Sequence, residues 1–126
     1  MSRTEQIRIG LRWLLTVAMV GVGVAHFVDP QPFVRLIEGM IPSPLAMVYF
    51  TGVCEISGGL GLIHPRTRKA AAIALMVFFI AVFPANVRMA VERIPMDGVA
   101  PVPDWAAYAR LPFQLMFIAW AWFVRR

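Results

Sequence analysis

Five side chains of chemically active type lie inside or beside the long apolar runs of this sequence: His26, Glu55, Asn86, Arg110 and Gln114. A carboxyl and an imidazole can exchange a proton, a guanidinium can hold an anion, and an amide can both donate and accept a hydrogen bond. In hydrocarbon an ionisable group costs at least about 2.5 kcal/mol on insertion scales, so it normally faces the bundle interior and has a partner. At a rise of about 1.5 Å per residue, counted from the outer ends of the runs, Glu55 falls about 15 Å deep and Gln114 about 13 Å. Asn86 and Arg110 fall about 8 Å deep, with His26 about one turn below the same surface. All five therefore belong to one half of whatever the runs build. Arg110 and Gln114, four residues apart, share a helix face continued by Phe117, Ile118 and Ala121. Gly52 and Gly59 flank Glu55 on its own face and leave space around its side chain. Arg110 is the expected partner of Glu55, with a protonated Glu55 bonded to a backbone carbonyl as the alternative. Arg88 sits about 200° around the helix from Asn86, and is expected to pair with Glu92 or to extend outward.

The elements that must hold these groups are membrane helices. Hydrophobic residues make up 60% of the 126 and charged ones only 15%, outside the usual soluble range. The apolar residues come in four blocks, about 11–28, 45–63, 70–91 and 105–124, each close to the ~20 residues that cross ~30 Å of hydrocarbon. Lipid offers the backbone no hydrogen-bond partner, so such segments are expected to be helices, and no period-two alternation supports a barrel. The net charge of +5 is not spread as a nucleic-acid surface would need. Arg3, Arg8 and Arg12 precede the first block, Arg66, Arg68 and Lys69 lie between the second and third, and Arg125 and Arg126 follow the fourth. The other connections carry Asp29, Glu38, Glu92, Asp97 and Asp104 against Arg35 and Arg93. Four crossings place the basic group on one side, which the positive-inside rule assigns to the cytoplasm. The expectation is an all-α, integral membrane four-helix bundle forming a single domain over 1–126 in the plasma (inner) membrane, with both termini cytoplasmic. A cleavable signal peptide is disfavoured, because the first apolar run is longer than the 7–15 residues of a signal core.

Between the first two spans, Phe33, Leu36, Ile37, Met40 and Ile41 recur on one helical face between prolines. They predict a short amphipathic helix in the outer interface, either a lid over the bundle or a packed loop helix. Small residues in span one (Ala18, Gly21, Gly23, Ala25) and span two (Gly52, Gly58, Gly59, Gly61) suit close backbone approach, in a hairpin or in a homodimer. Pro84 and Pro112 interrupt spans three and four, as helices bordering a cavity often are. His26 and His64 fall on opposite membrane faces and cannot share a metal, and the single Cys54 excludes an intramolecular disulfide and a dithiol motif.

Four segments resemble the DoxX-like family of small, mostly bacterial, four-helix membrane proteins: GVAHFVDPQPF, YFTGVCEISGGLGLIHPRTRKAA, FPANVRMA and LPFQ. The resemblance runs from about residue 25 to residue 120 and implies a functional set of His26, Glu55, Pro84, Asn86 and Gln114. It also implies an association with quinone-linked, thiol or oxidative-stress systems, or with receptor assembly, although a chain without a cysteine pair departs from thiol–disulfide chemistry. The leading expectation is a polar pocket in the outer leaflet for a quinone-like or isoprenoid lipid, accessory to membrane redox chemistry. The pocket would be formed by His26, Glu55, Asn86, Arg110 and Gln114 within a wall of Phe78, Phe79, Phe83, Phe113 and Phe117. A non-enzymatic assembly factor or structural subunit is the alternative, and a lipid-modifying enzyme using Glu55 and His26 as an acid–base pair is the third. The almost wholly apolar inner halves of the spans argue against an ion channel.

Overall fold

The computed structural model describes residues 2–92 and 104–126, with all their side chains except those of residues 89, 90, 92, 104, 106 and 107. Five helices account for most of it: α1 (Arg3–Val28), α2 (Gln31–Ile37), α3 (Pro44–Gly61), α4 (Arg68–Glu92) and α5 (Asp104–Val124), with no strand among the described residues. The fold is all-α.

α1 begins eight residues before its apolar run. The Ser2 hydroxyl accepts from the Glu5 N–H at 3.1 Å, and Glu5 places a negative charge in the first turn, so cap and dipole both favour starting there. Arg3, Arg8 and Arg12 are thereby carried on the helix and not on a tail. α1 stops before Pro30, whose ring cannot continue it, and the Asp29 N–H closes the last turn on Ala25 O at 2.9 Å. α2 is shorter than its apolar pattern suggested. Gly39, at φ +86°, leaves the right-handed region just after Glu38, so Met40 and Ile41 fall outside the helix. Ser43 also takes a left-handed conformation, φ 56°, and turns the chain into α3 at Pro44, the first helical residue.

The long helices run up and down in antiparallel order. α1 pairs most closely with α3 and α4 with α5, while α3 meets α4 and α1 meets α5 to close the ring. In the α1–α3 pair, a Cβ on Gly23 would come 2.9 Å from Gly52 O, and one on Gly52 would come 2.9 Å from the Cβ of His26. Only hydrogen fits at either position. Thr16 Oγ1 donates to Gly59 O at 3.0 Å two turns away, which adds a directional bond to the contact. The α4–α5 pair is aromatic: Phe79 lies 5.7 Å from Phe117, centroid to centroid, and Phe117 stacks on Trp120 at 5.8 Å. The ring closes at one end, where Trp120 Nε1 donates to Leu11 O at 2.9 Å and Arg8 Nε to Phe123 O at 3.1 Å. Arg12 donates to Val124 O and Arg126 O.

The buried apolar cluster of Leu15, Met19, Leu62, Ala71, Ala72, Leu75, Phe79, Ala121 and Val124 fills that same half of the bundle. The outward faces are no less apolar. Val17, Phe50, Val77 and Leu115, one on each long helix, are 66%, 62%, 60% and 63% exposed, which is the reverse of a soluble bundle's pattern. Among the described residues two helices are long and apolar enough to cross a membrane, α1 and the Arg68–Arg88 part of α4, with mean hydropathy of 1.7 and 2.3. α3 carries Glu55 and four glycines, and α5 carries Arg110, Pro112 and Gln114. Both carry groups described next.

Candidate functional site

The five polar side chains separate into two groups on opposite sides of the bundle. The first lies in the α1–α3 contact. Gly52 lets α3 approach the His26 backbone closely, and the register set by Gly23 and Gly52 brings Glu55 opposite His26. His26 Nδ1 donates to Val22 O at 2.7 Å and lies 3.4 Å from Glu55 Oε2. Both residues are buried, and Glu55 Oε2 makes no hydrogen bond among the described residues. Phe33 of α2 closes the group from above, its ring stacked on the imidazole at 3.8 Å between centroids. α2 is therefore a cap over this pair, although none of its residues is fully buried.

The second group lies between α4 and α5. Asn86 Nδ2 donates to Gln114 Oε1 at 2.7 Å, and Gln114 Nε2 donates to Phe79 O. Gln114 is buried, whereas Arg110 is exposed one turn away on the same face. Together with Phe113 and Phe117 they line a cleft of about 220 Å³. Each amide commits one N–H to these bonds. The second N–H of each and Asn86 Oδ1 retain hydrogen-bonding capacity toward the cleft.

Two expectations need correction, and a third falls on a side chain outside the described residues. Glu55 does not pair with Arg110: α5 stands diagonally across the ring from α3, and the carboxylate faces α1 and His26 instead. Arg88 Nη1 donates to Leu36 O at 2.9 Å and so ties α2 to α4, while the side chain of Glu92, its expected partner, lies outside the described residues. Of the expected phenylalanine wall, Phe113 and Phe117 line the cleft, and Phe79 contributes its carbonyl to Gln114 and its ring to Phe117. The ring of Phe33 over His26 was not foreseen from the sequence. Its place on the apolar face of α2 was the available signal, but spacing alone does not say which side chain that face covers. Among the described residues no three His, Cys, Asp or Glu side chains converge as metal ligands do.

The tether on α2 has a measurable consequence. Arg88→Met removes a charge-assisted bond to Leu36 O, worth about 1.5–3 kcal/mol, and leaves that carbonyl without its donor. Amide hydrogen exchange over residues 31–41 is expected to rise while the amides of α1 and α3 keep their protection. Unchanged exchange over 31–41 would show that Phe33 alone holds the cap.

Residues 15–125 match the model of a protein family described as a domain of unknown function, DUF8561. The chain belongs to the DUF8561 family. No curated protein and no solved structure matches it. The resemblance to the DoxX-like family is thereby overturned, since the family that covers nearly the whole chain is a different one. The quoted segments combine glycines at a helix contact, prolines within helices and arginines in a short loop. Close packing in lipid and the positive-inside bias select those features in unrelated bundles as well. What remains of the candidate site in this DUF8561 chain rests on its own geometry: a capped His26–Glu55 pair, and an open cleft bordered by Asn86, Arg110 and Gln114.

Proposed function

We propose that this chain is an integral membrane protein whose α4–α5 cleft binds the polar head of an amphipathic, lipid-like molecule. The observation that carries the reading is the cleft itself, lined by two linked amides, a guanidinium and the side chains of Phe113 and Phe117. A few convergent polar groups in an apolar wall recognise a ligand that is mostly hydrocarbon with one hydrogen-bonding end. The amides match a carbonyl or hydroxyl, so a quinone-like or isoprenoid lipid belongs to the class. The redox setting leaned on the withdrawn resemblance and forms no part of the proposal.

In this reading α1, α3, α4 and α5 all span the bilayer of the plasma (inner) membrane, with both termini cytoplasmic. The apolar outward faces support it, as do the basic residues gathered at one end of the bundle. α3 and α5 are tolerated in lipid because their polar groups turn inward or onto the cleft. The cleft and the capped pair would lie toward the outer leaflet.

The test is native mass spectrometry of the chain released from membranes in mild detergent. A bound species of defined mass is expected on the natural protein. Its occupancy should fall about tenfold in Asn86→Ala, as loss of one well-made hydrogen bond predicts. A chain recovered without ligand from both proteins would sink the cleft reading and move attention to an assembly or structural role.

A further inference from the structure

At the end of the bundle remote from the cleft, three guanidiniums converge. Arg12 is 93% buried by its 7% exposure, and Arg8 and Arg68 lie near enough on either side to repel its charge. Among the described residues all three donate to main-chain oxygens, and Arg8 also lies over the Phe123 ring at 5.0 Å. Arg8 Nε donates to Phe123 O at 3.1 Å, Arg12 to Val124 O and Arg126 O, and Arg68 to Leu62 O and Ile63 O at 2.9 and 3.0 Å. No carboxylate side chain among the described residues pairs with any of them.

Capping of helix ends explains part of this arrangement, because carbonyls at the ends of α3 and α5 attract cations. The charge balance is not closed by it. The C-termini of α3 and α5 contribute about −0.5 each, and the N-termini of α1 and α4, at the same end, about +0.5 each. The dipoles cancel one another and so do not offset the guanidinium charges. Exposed Arg66 and Lys69 add to them, and Glu5 is the one acidic residue in the segments that build this end. Each guanidinium carries five N–H donors, of which these bonds use one or two, so donors are left as well as charge.

Depth identifies the counter-ion. Trp13, next to Arg12, and Trp122 are half exposed, and Arg125 lies over the Trp122 ring at 3.5 Å. Tryptophans in this position mark the head-group level of a bilayer. We infer that the Arg8–Arg12–Arg68 cluster is a binding site for the phosphate of an anionic phospholipid in the cytoplasmic leaflet. Guanidinium forks match phosphate oxygens in pairs, and a lipid phosphate arrives at the required depth with its acyl chains along the apolar outer face. The inference rests on the membrane reading above but not on the cleft.

The full chain, reconstituted in vesicles of mixed phosphatidylcholine and phosphatidylglycerol, is re-extracted, and its retained phospholipid is identified by native mass spectrometry. Phosphatidylglycerol should be retained in preference to phosphatidylcholine. Arg8→Gln and Arg68→Gln should each lower that retention about fivefold, the value of one basic residue at a membrane surface. Arg8→Lys and Arg68→Lys should keep part of it, and Arg35→Gln, on the connection at the other end, should keep all of it. Buried Arg12 is left intact so that the fold is not at risk. Equal retention of the two lipids overturns the proposal, as does selectivity that survives both glutamine variants. Displacement of phosphatidylglycerol by inorganic phosphate at equal concentration also overturns it, by showing a site for free phosphate. Asn86, Arg110 and Gln114 are unchanged throughout. Loss of a cleft ligand with phosphatidylglycerol still bound therefore counts against the cleft alone, whereas a chain found in the soluble fraction removes both readings.

Discussion

Gly23→Leu is expected to yield no folded bundle. A Cβ at position 23 already lies 2.5 Å from Ile56 Cγ1, 2.9 Å from Gly52 O and 3.2 Å from Ile56 N. The first of these atoms can rotate away, but the other two are backbone and yield only if α1 and α3 separate. Overpacking by a methyl group costs about 1–3 kcal/mol, and the three further carbons of leucine would exceed what a bundle of this size can spare. Separation would also break the Thr16–Gly59 bond and draw His26 away from Glu55. Gly21→Leu is the control, because nothing lies within 4 Å of a Cβ there. Size-exclusion profiles and thermal unfolding in detergent should show aggregation for the first variant and natural behaviour for the second. Natural unfolding of Gly23→Leu would mean that the α1–α3 contact is not as close as described.

Glu55→Met is expected to act in the opposite sense and to stabilise the fold by about 1–2 kcal/mol. Removing one member of a buried pair usually harms, because the other is stranded. Here His26 is not stranded: its Nδ1 already donates to Val22 O and its ring stacks on Phe33. What the substitution removes is a buried carboxyl oxygen without a hydrogen bond among the described residues, and such an oxygen costs about 1–3 kcal/mol. Methionine fills a similar volume and adapts its shape. The free energy of unfolding of the two proteins decides the matter. A more stable variant means that the carboxyl is kept at a cost to stability, as functional groups commonly are. A less stable variant means that the pair is a structural device that fixes the register of α1 against α3.

Much of the architecture was legible because lipid and water leave strong marks on composition. The apolar blocks located the four long helices to within a few residues, except at the start of α1. There the Ser2 cap and Glu5 extended the helix through a polar stretch that hydropathy does not register. The short helix was foreseen, but its end was not: the left-handed Gly39 cut off an apolar pattern that ran on to Ile41. All five candidate side chains could be named, since polar groups in apolar runs are conspicuous. Their partners could not. Depth along a helix follows from counting, whereas the direction in which a face points depends on which helices are neighbours. Placing α5 next to α4, diagonal to α3, gave Gln114 to Asn86 and left His26 for Glu55. Arg12 escaped notice for a related reason. As a charge near the start of an apolar run it looked like one more flanking residue, and its burial appears only once the end of α5 is folded over it.

That last contact bears on how the chain is made. Arg12 and its acceptor Val124 are 112 residues apart in sequence, and Arg8 and Phe123 are 115 apart. A ribosome makes α1 long before the main-chain oxygens that will hold its arginines exist. The α1–α3 hairpin can form early, since Thr16 and Gly59 are only 43 residues apart. Until α5 is made, the guanidiniums of α1 lack the acceptors they have in the folded chain. If the membrane reading proposed above holds, the α1–α5 contact is expected to close after the α1–α3 pair has formed.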